Sequence, residues 1–518
     1  MKMFKKTSLT ILLTTFCFSA CSETKHLEKT ATNNKSPNIV IFYVDDLGYG
    51  DLSSYGATSV STPNIDKLAN KGIKFTDAHS PAATCTPSRY SLLTGKYAFR
   101  NKAAILPGDA PLIIDPNIET LPKMLKKASY TTGVVGKWHL GLGNGDVNWN
   151  GQVKPGPLEI GFDYSFLIPA TGDRVPTVYL ENHQIVNLDP NDPIAISYAE
   201  NISDRPIGTE NPQLLKQQAD TQHSATIING ISRIGWMSGG KSAEWVDEEF
   251  PDVLTGKAID FIQENKHSPF LLYFPFHDIH VPRIPNPRFV GQTEMGPRGD
   301  AIVQMDWMTG KILNFLEANG LMENTLVIFS SDNGPVLDDG YEDKAVELVG
   351  NHKPAGPYSG GKYSALEGGT RVPMITYLKN RTKQGVSNAM MTHIDLYASL
   401  AALAGVELAD AEAVDSDNVL DALLDPNAEG RTEMLEESFT LSLRQKQWKY
   451  IAPAKNSTPN WLANKDVRTG LQTKGQLYNL ADDTGEMNNL AQRYPERLAA
   501  MEKRMQEIIN QGHDFSAN

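Results

Sequence analysis

Four apolar, strand-like runs in this chain each stop at residues able to do chemistry. Asn38-Ile39-Val40-Ile41-Phe42-Tyr43-Val44 stops at Asp45 and Asp46, and the run over 130–135 stops just before Lys137 and His139. The run over 269–276 stops at His277 and His280, and that over 325–331 stops at Asp332 and Asn333. Runs that are continuously apolar and rich in β-branched residues suit strands buried on both faces, as in a parallel sheet. In an open α/β sheet the carboxyl ends of such strands share one edge, where ligands bind. The four polar groups are therefore expected to converge on one edge of one sheet. The expected fold class is α/β, a large and mostly parallel sheet flanked by helices.

Helix signals lie between the runs. Thr62 with Pro63 reads as a cap and first turn, and further helical patterns cover 118–125, 253–263 and part of 294–319. Residues 144–250 are poorly patterned and rich in Gly, Pro, Asn and Asp. Loops of this kind over a rigid sheet usually shape specificity, and Asp173, Arg174 and His183 are candidate rim residues there. From about residue 431 the texture becomes that of short strands, with a hairpin over 442–451, a strand over 475–480 and an amphipathic helix over 495–509. This is expected to be a smaller α+β domain, an antiparallel sheet with one helix packed on it. The boundaries are 37–430 for the main domain and 431–518 for the smaller one.

The chain opens with Lys2, Lys5 and Lys6, then a short apolar run, then Phe18-Ser19-Ala20-Cys21. This reads as a secretory signal over 1–20. Its end resembles a bacterial lipobox, which implies that Cys21 becomes the lipidated first residue of an exported lipoprotein, held to the membrane by its lipid anchor alone. Ser22 favours the outer membrane by the same resemblance, at its periplasmic face or surface. Residues 21–36 are polar and read as a flexible tether.

Three cysteines are present in 518 residues: Cys17 in the signal, Cys21 at the anchor and Cys85 in the body. A lone cysteine in an exported body cannot form an intramolecular disulfide there and needs another explanation. Cys85 sits in Cys85-Thr86-Pro87-Ser88-Arg89. Pro87 suits a first helical turn, so the sulfur lies near a helix N-terminus, where backbone N–H groups favour an anion. The net charge of −13 argues against a nucleic-acid binder but leaves room for an anionic substrate, since local cations can override it.

Asp45, Asp46, Asp332 and Asn333 are hard oxygen donors, a set that suits Ca²⁺ or Mg²⁺ and disfavours Zn²⁺. Lys137, Lys362 and Arg89 add positive charge, and two histidines can move protons. Such a site is built to hold a tetrahedral anion.

Cys85-Thr86-Pro87-Ser88-Arg89 followed by Thr94-Gly95 resembles the signature of the type I sulfatases of the alkaline phosphatase superfamily. Asp45-Asp46, the block 136–141, His277 to His280, Asp332-Asn333-Gly334, Gly361-Lys362 and the C-terminal blocks 448–450 and 477–480 resemble that family in order, across residues 37–518. The resemblance implies an alkaline phosphatase-like fold and a sulfuric ester hydrolase. It implies that a maturation enzyme oxidises Cys85 to formylglycine, which hydrates to a diol whose oxygen attacks sulfur. Asp45, Asp46, Asp332, Asn333 and the modified residue 85 would bind Ca²⁺. Arg89 would stabilise the alkoxide, Lys137 and Lys362 would contact sulfate, and His280 would be the general acid. His139 would be the base that expels sulfate. Arg174, His277, Arg283 and His352 are further candidates for binding substrate. A sulfated carbohydrate is the substrate expected from resemblance and export. The competing readings are a phosphonate or phosphate ester hydrolase of the same superfamily and a lipoprotein that binds sulfated glycan without turning it over.

Overall fold

The computed structural model describes Met1 and residues 36–454 and 459–511. The expected signal over 1–20 apart from Met1, the expected lipidation site Cys21 and nearly all of the expected tether over 21–36 lie outside the described residues. The described residues from 36 onward form one compact unit. Among the described residues no helix is long and apolar enough to cross a membrane.

A ten-stranded sheet organises that unit. Its centre is parallel throughout, in the spatial order Thr325–Ser331, Asn38–Val44, Phe270–Pro275, Thr131–Lys137, Tyr164–Ile168. Asn38–Val44 lies between two parallel partners, with Ile41 opposite Tyr273 on one side and Ile328 on the other. The flanks bring in antiparallel pairs: Met374–Tyr377 against Thr325–Ser331, and Leu180–Glu181 against Tyr164–Ile168. The sheet is thus mixed: its five central strands are parallel, antiparallel pairs flank them on both sides, and Gly385–Ser387 at one edge runs parallel to Ile73–Phe75.

The alternation of a strand explains the two cores. Ile39, Ile41 and Tyr43 point into one apolar cluster, with Leu92, Leu93, Leu121, Met124, Leu396 and Leu400. Val40, Phe42 and Val44 point into the other, with Ile65, Leu254, Ile302, Met305 and Ile312. Successive side chains face opposite ways, so one all-apolar run feeds both layers. Helices Cys85–Thr94, Leu121–Lys127 and Leu396–Ala404 therefore cover one face. Helices Pro63–Lys71, Phe250–Asn265 and Gly296–Ala318 cover the other.

A second sheet, all antiparallel, joins Glu433–Glu437, Leu441–Gln445, Trp448–Ile451 and Gln476–Asn479. Helix Pro495–Gln511 lays Met501 and Met505 against it. Buried charges tie this sheet to the main body. Glu367 accepts from Arg444 at 2.5 Å and from Lys449 at 3.0 Å, and Lys449 also meets Glu436 at 2.9 Å. Burial alone would push Glu367 toward protonation, but Arg444 and Lys449 outweigh it and hold its carboxyl well below the ordinary range.

Removing one partner of a buried pair strands the other in low dielectric, which costs about 3–5 kcal/mol. Lys449→Met is expected to lower stability by that amount. A shift of the urea midpoint to lower concentration checks it, and an unchanged midpoint would show that the cluster does not hold the two sheets together.

Candidate active site

All four polar groups expected from the sequence stand at the carboxyl ends of adjacent parallel strands. Backbone hydrogen bonds lock their order: Asp332 N–H donates to Val44 O at 2.9 Å, Asp45 N–H to Asp278 O at 3.2 Å, and Ile279 N–H to Asp45 O at 2.8 Å. Two site residues, Asp46 (φ 62°) and His139 (φ 54°), take the left-handed conformation, which non-glycine residues adopt rarely and often at functional sites. Gly334 approaches so closely that a Cβ there would lie 1.8 Å from Gly368 O. That contact presses the Asp332-Asn333 turn onto the segment that follows Lys362.

Cys85 is the first residue of helix Cys85–Thr94 and is buried. Its Sγ is 3.2 Å from His139 Nδ1. The other ring nitrogen, His139 Nε2, is 2.9 Å from Leu106 O. A carbonyl only accepts, so Nε2 carries the proton and Nδ1 presents a lone pair to residue 85. Burial, Lys137 and Arg174 all push His139 well below its ordinary value, so the ring is neutral. Burial likewise pushes the Cys85 thiol up.

Beneath the sulfur lies a dense group of buried charges. Arg89 donates from Nε and Nη2 to Asp332 Oδ2 at 2.9 and 2.7 Å, and from Nη1 to Lys137 O at 3.0 Å. Lys137 binds Asp45. Lys362 Nζ reaches Asp46 at 3.0 Å and Asp339 at 2.9 Å. Burial first, then the neighbouring Asp332, pushes Asp45 up to about 6. Burial also raises Asp46, although Lys362 opposes it.

The donor set fits a hard divalent cation. Asp45 Oδ1 and Asn333 Oδ1 are buried without a hydrogen-bond partner, and a buried polar atom left unpaired is costly. Atoms of Asp45, Asp46 and His280 lie within 4.8 Å of one another. Asn333 Nδ2 donates to Asp46 Oδ1 at 2.8 Å, so its orphaned oxygen is on the other side of the amide. Asp332 Oδ1 is 3.4 Å from Asp46 N–H. Carboxylate and amide oxygens at this density match Ca²⁺ or Mg²⁺.

Above the sulfur opens a cavity of about 290 Å³, lined by Cys85, His139, Arg174, His280 and Lys362 among others. Its remaining wall comes largely from segments without sequence signals. Asp173 lies beside Arg174 (3.0 Å) and His223 (3.5 Å). Burial disfavours charge on His223, but hydrogen bonds to Asp173 and Asp220 outweigh it and raise its pKa above the ordinary value. Asp339 joins Lys362, the Tyr363 hydroxyl (3.1 Å) and Lys465 (3.3 Å). Asp338-Asp339-Gly340 is legible as an acidic turn shortly after Asp332. Lys465 and Trp461 carried no sequence signal at all.

The other sequence candidates fall elsewhere. Arg283 is buried with its guanidinium on Asp343 (2.7 Å) and on the carbonyls of Ile279, Val336 and Leu337. It does not line the cavity; it fastens the segment after Asp332 to that after His280. His352 Nε2 is 2.8 Å from Asp51 Oδ1, and Asp51 also binds Arg298 and the Gly48 N–H. It braces the loop that follows Asp46. His277 packs on Phe250 with its Nε2 unpartnered, and burial with Lys137 pushes it down to about 3. His183 pairs with Glu159 away from the cavity.

Buried cations beside a cluster of hard oxygen donors, on the carboxyl edge of a parallel sheet, suit a hydrolase for esters of a tetrahedral anion. The sulfatase family model matches residues 37–406. An N-acetylgalactosamine-6-O-sulfatase of Bacteroides thetaiotaomicron is 48% identical over 480 residues, 92% of this chain and 94% of that protein. A solved structure from the same organism, described under glycosaminoglycan metabolism, superposes with a TM-score of 0.89 at 48% identity, covering 92% of this chain and 99% of its own. The PsFucS1 sulfatase of Pseudoalteromonas sp. does so with a TM-score of 0.68 at 26% identity, covering 92% and 91%. This chain belongs to the sulfatase family and is an enzyme that hydrolyses sulfate esters.

Gly334→Ala drives a Cβ into Gly368 O and displaces Asp332 and Asn333. Misplacement of a catalytic constellation by an ångström costs on the order of a hundredfold in rate. A loss of that size in aryl sulfate turnover, with circular dichroism unchanged, is expected; near-native turnover would show that the close contact is not needed.

Proposed function

We propose that this chain removes sulfate from a sulfated carbohydrate, with residue 85 working as formylglycine beside a bound Ca²⁺. The observation that carries this is the placement of Cys85. It is buried, begins a helix, faces the His139 lone pair at 3.2 Å, and shares its cavity with Lys362 and His280. The carbohydrate class draws on the 48% identical N-acetylgalactosamine-6-O-sulfatase, which makes a 6-O-sulfated hexosamine the first substrate to try. Maturation by a formylglycine-generating enzyme, export and lipid anchoring at Cys21 belong to the same proposal and rest on the motifs around Cys85 and Cys21.

Formylglycine at position 85 supplies a hydrated aldehyde oxygen as nucleophile. Asp45, Asp46, Asp332 and Asn333 would hold the Ca²⁺, which supplies fixed positive charge where the sulfate oxygens gather. The chain's own residues do the rest. Leu106 O holds His139 in the tautomer that accepts a proton from residue 85 at Nδ1. Lys362 lies between Asp46 and Asp339, which keep it charged against the cost of burial and aim it at the anion. Arg89 is anchored on Asp332 and fixes the helix that carries residue 85.

His280 donates from Nδ1 to Val281 O at 2.7 Å, which leaves Nε2 for the leaving oxygen. Burial, Lys362 and Lys137 hold the free ring neutral, well below its ordinary value. A sulfate anion bound among those lysines offsets their repulsion, so Nε2 can carry the proton that the alcohol needs.

Mass spectrometry of the Cys85 peptide from protein made in its own host is expected to show the aldehyde or its hydrate. Cys85→Ala should abolish turnover of a hexosamine 6-sulfate. Chelation should do so reversibly, with Ca²⁺ restoring the rate. An unmodified thiol in a fully active preparation would sink the formylglycine reading.

A further inference from the structure

The cavity above Cys85 is small for a ligand pocket, with room for one sulfated ring and little beyond it. What continues outward from it is aromatic. Tyr363 is buried in the cavity wall, with its hydroxyl on Asp339 and its backbone N–H on Ala83 O at 2.8 Å. The Trp461 ring stands 5.0 Å from Tyr363, centroid to centroid, and also lines the cavity. Phe439 stands 6.2 Å beyond Trp461 and is 36% exposed. Three rings thus run from the wall of the reaction chamber to solvent.

These rings come from three separate segments. Tyr363 follows Lys362. Phe439 sits in the turn between strands Glu433–Glu437 and Leu441–Gln445, a position that turn chemistry would give to Asn, Asp or Gly. Trp461 lies on the 3₁₀ turn Asn460–Asn464, in the connection between Trp448–Ile451 and Gln476–Asn479. Each segment is pinned. Ser438 Oγ donates to Tyr363 O at 2.6 Å, and Leu462 is buried. Lys465, also buried, meets Asp339 at 3.3 Å. A phenyl at a hairpin tip, packed edge-on against Trp461 yet over a third exposed, leaves apolar ring surface open to a ligand beside the cavity.

We infer that Trp461 and Phe439 form a binding subsite for the sugar ring joined to the sulfated one. A pyranose presents an apolar face of axial C–H groups, which packs on an aromatic ring and leaves its hydroxyls to water. The smaller sheet therefore contributes specificity: it reads the neighbour, while the main sheet carries the chemistry. This inference rests on the carbohydrate reading and extends it to a chain longer than one sugar.

The test compares kcat/KM on three substrates: a sulfated monosaccharide, the matching sulfated disaccharide and a small aryl sulfate. The proteins are the intact chain, Trp461→Ala, Trp461→Phe and Phe439→Ala. Stacking contacts of this kind are worth about tenfold in affinity. The two alanine variants are expected to lose about that factor on the disaccharide, through KM. For Phe439→Ala, at a position that does not line the cavity, rates on the monosaccharide and aryl sulfate should stay within about twofold, and Trp461→Phe should recover most of the Trp461→Ala loss. Phe439→Ala keeps the test decisive if Trp461→Ala fails to fold. Equal losses on all three substrates for Phe439→Ala, or no loss on the disaccharide for either alanine variant, overturn the inference alone. An intact chain that turns over the aryl sulfate but neither sugar overturns the carbohydrate reading and this subsite with it.

Discussion

The structure depends on compensating charge that has been taken out of water. Asp45, Asp46 and Asp332 are all fully buried at one sheet edge. Carboxylates in such a place would protonate or unfold the chain unless cations stood against them. Lys137, Arg89 and Lys362 do so, each from a different element, and each is itself buried. The order of the central strands is the geometric means of bringing these groups together. Two orphaned oxygens remain at the centre, on Asp45 and Asn333, and this unmet demand makes the cluster a candidate cation site as well as a structural knot.

The same economy appears at the joint between the two sheets. Glu367, Glu436 and Glu486 lie among Lys449, Arg444 and His79, all buried. Glu367 begins the short helix Glu367–Thr370, and Gly368 and Gly369 within it touch Gly334. The charge knot that holds the smaller sheet is thus one residue away from the contact that holds Asp332 and Asn333. Neutralising Glu367 and placing Asp332 and Asn333 are one packing problem.

Much of this was legible in the sequence because the strand ends do two jobs in few residues. Val44 to Asp46 passes from apolar core to buried acid within one turn of chain, and a pattern that abrupt has few other uses. Cys85, Arg89, Lys137, His139, His280 and Lys362 could be read from local motifs, since each sits next to the element that positions it. Arg283 and His352 could not be told from ligands, because a buried Arg or His in a loop has the same local sequence whether it meets substrate or Asp343 and Asp51. Only tertiary contacts separate those cases. The cavity's outer wall was illegible for a related reason. Tyr198, His223 and Ile234 come from a region of two- and three-residue strands and 3₁₀ turns, too short to impose a period.

That division has a physical basis. The chemistry needs charges held rigidly against burial, and only a packed sheet edge supplies enough fixed neighbours to do so. Its residues are therefore tied to regular elements and leave periodic traces. Recognition of a neutral ring asks for surface, shape and a few hydrogen bonds, which loops can provide when a few residues anchor them. Lys465 anchors one such loop on Asp339, the carboxylate that also holds Lys362. The catalytic charge network therefore extends outward to fix the position of Trp461. A loop at this mouth can change its exposed residues without disturbing the chemistry only as long as Lys465 and Asp339 are kept.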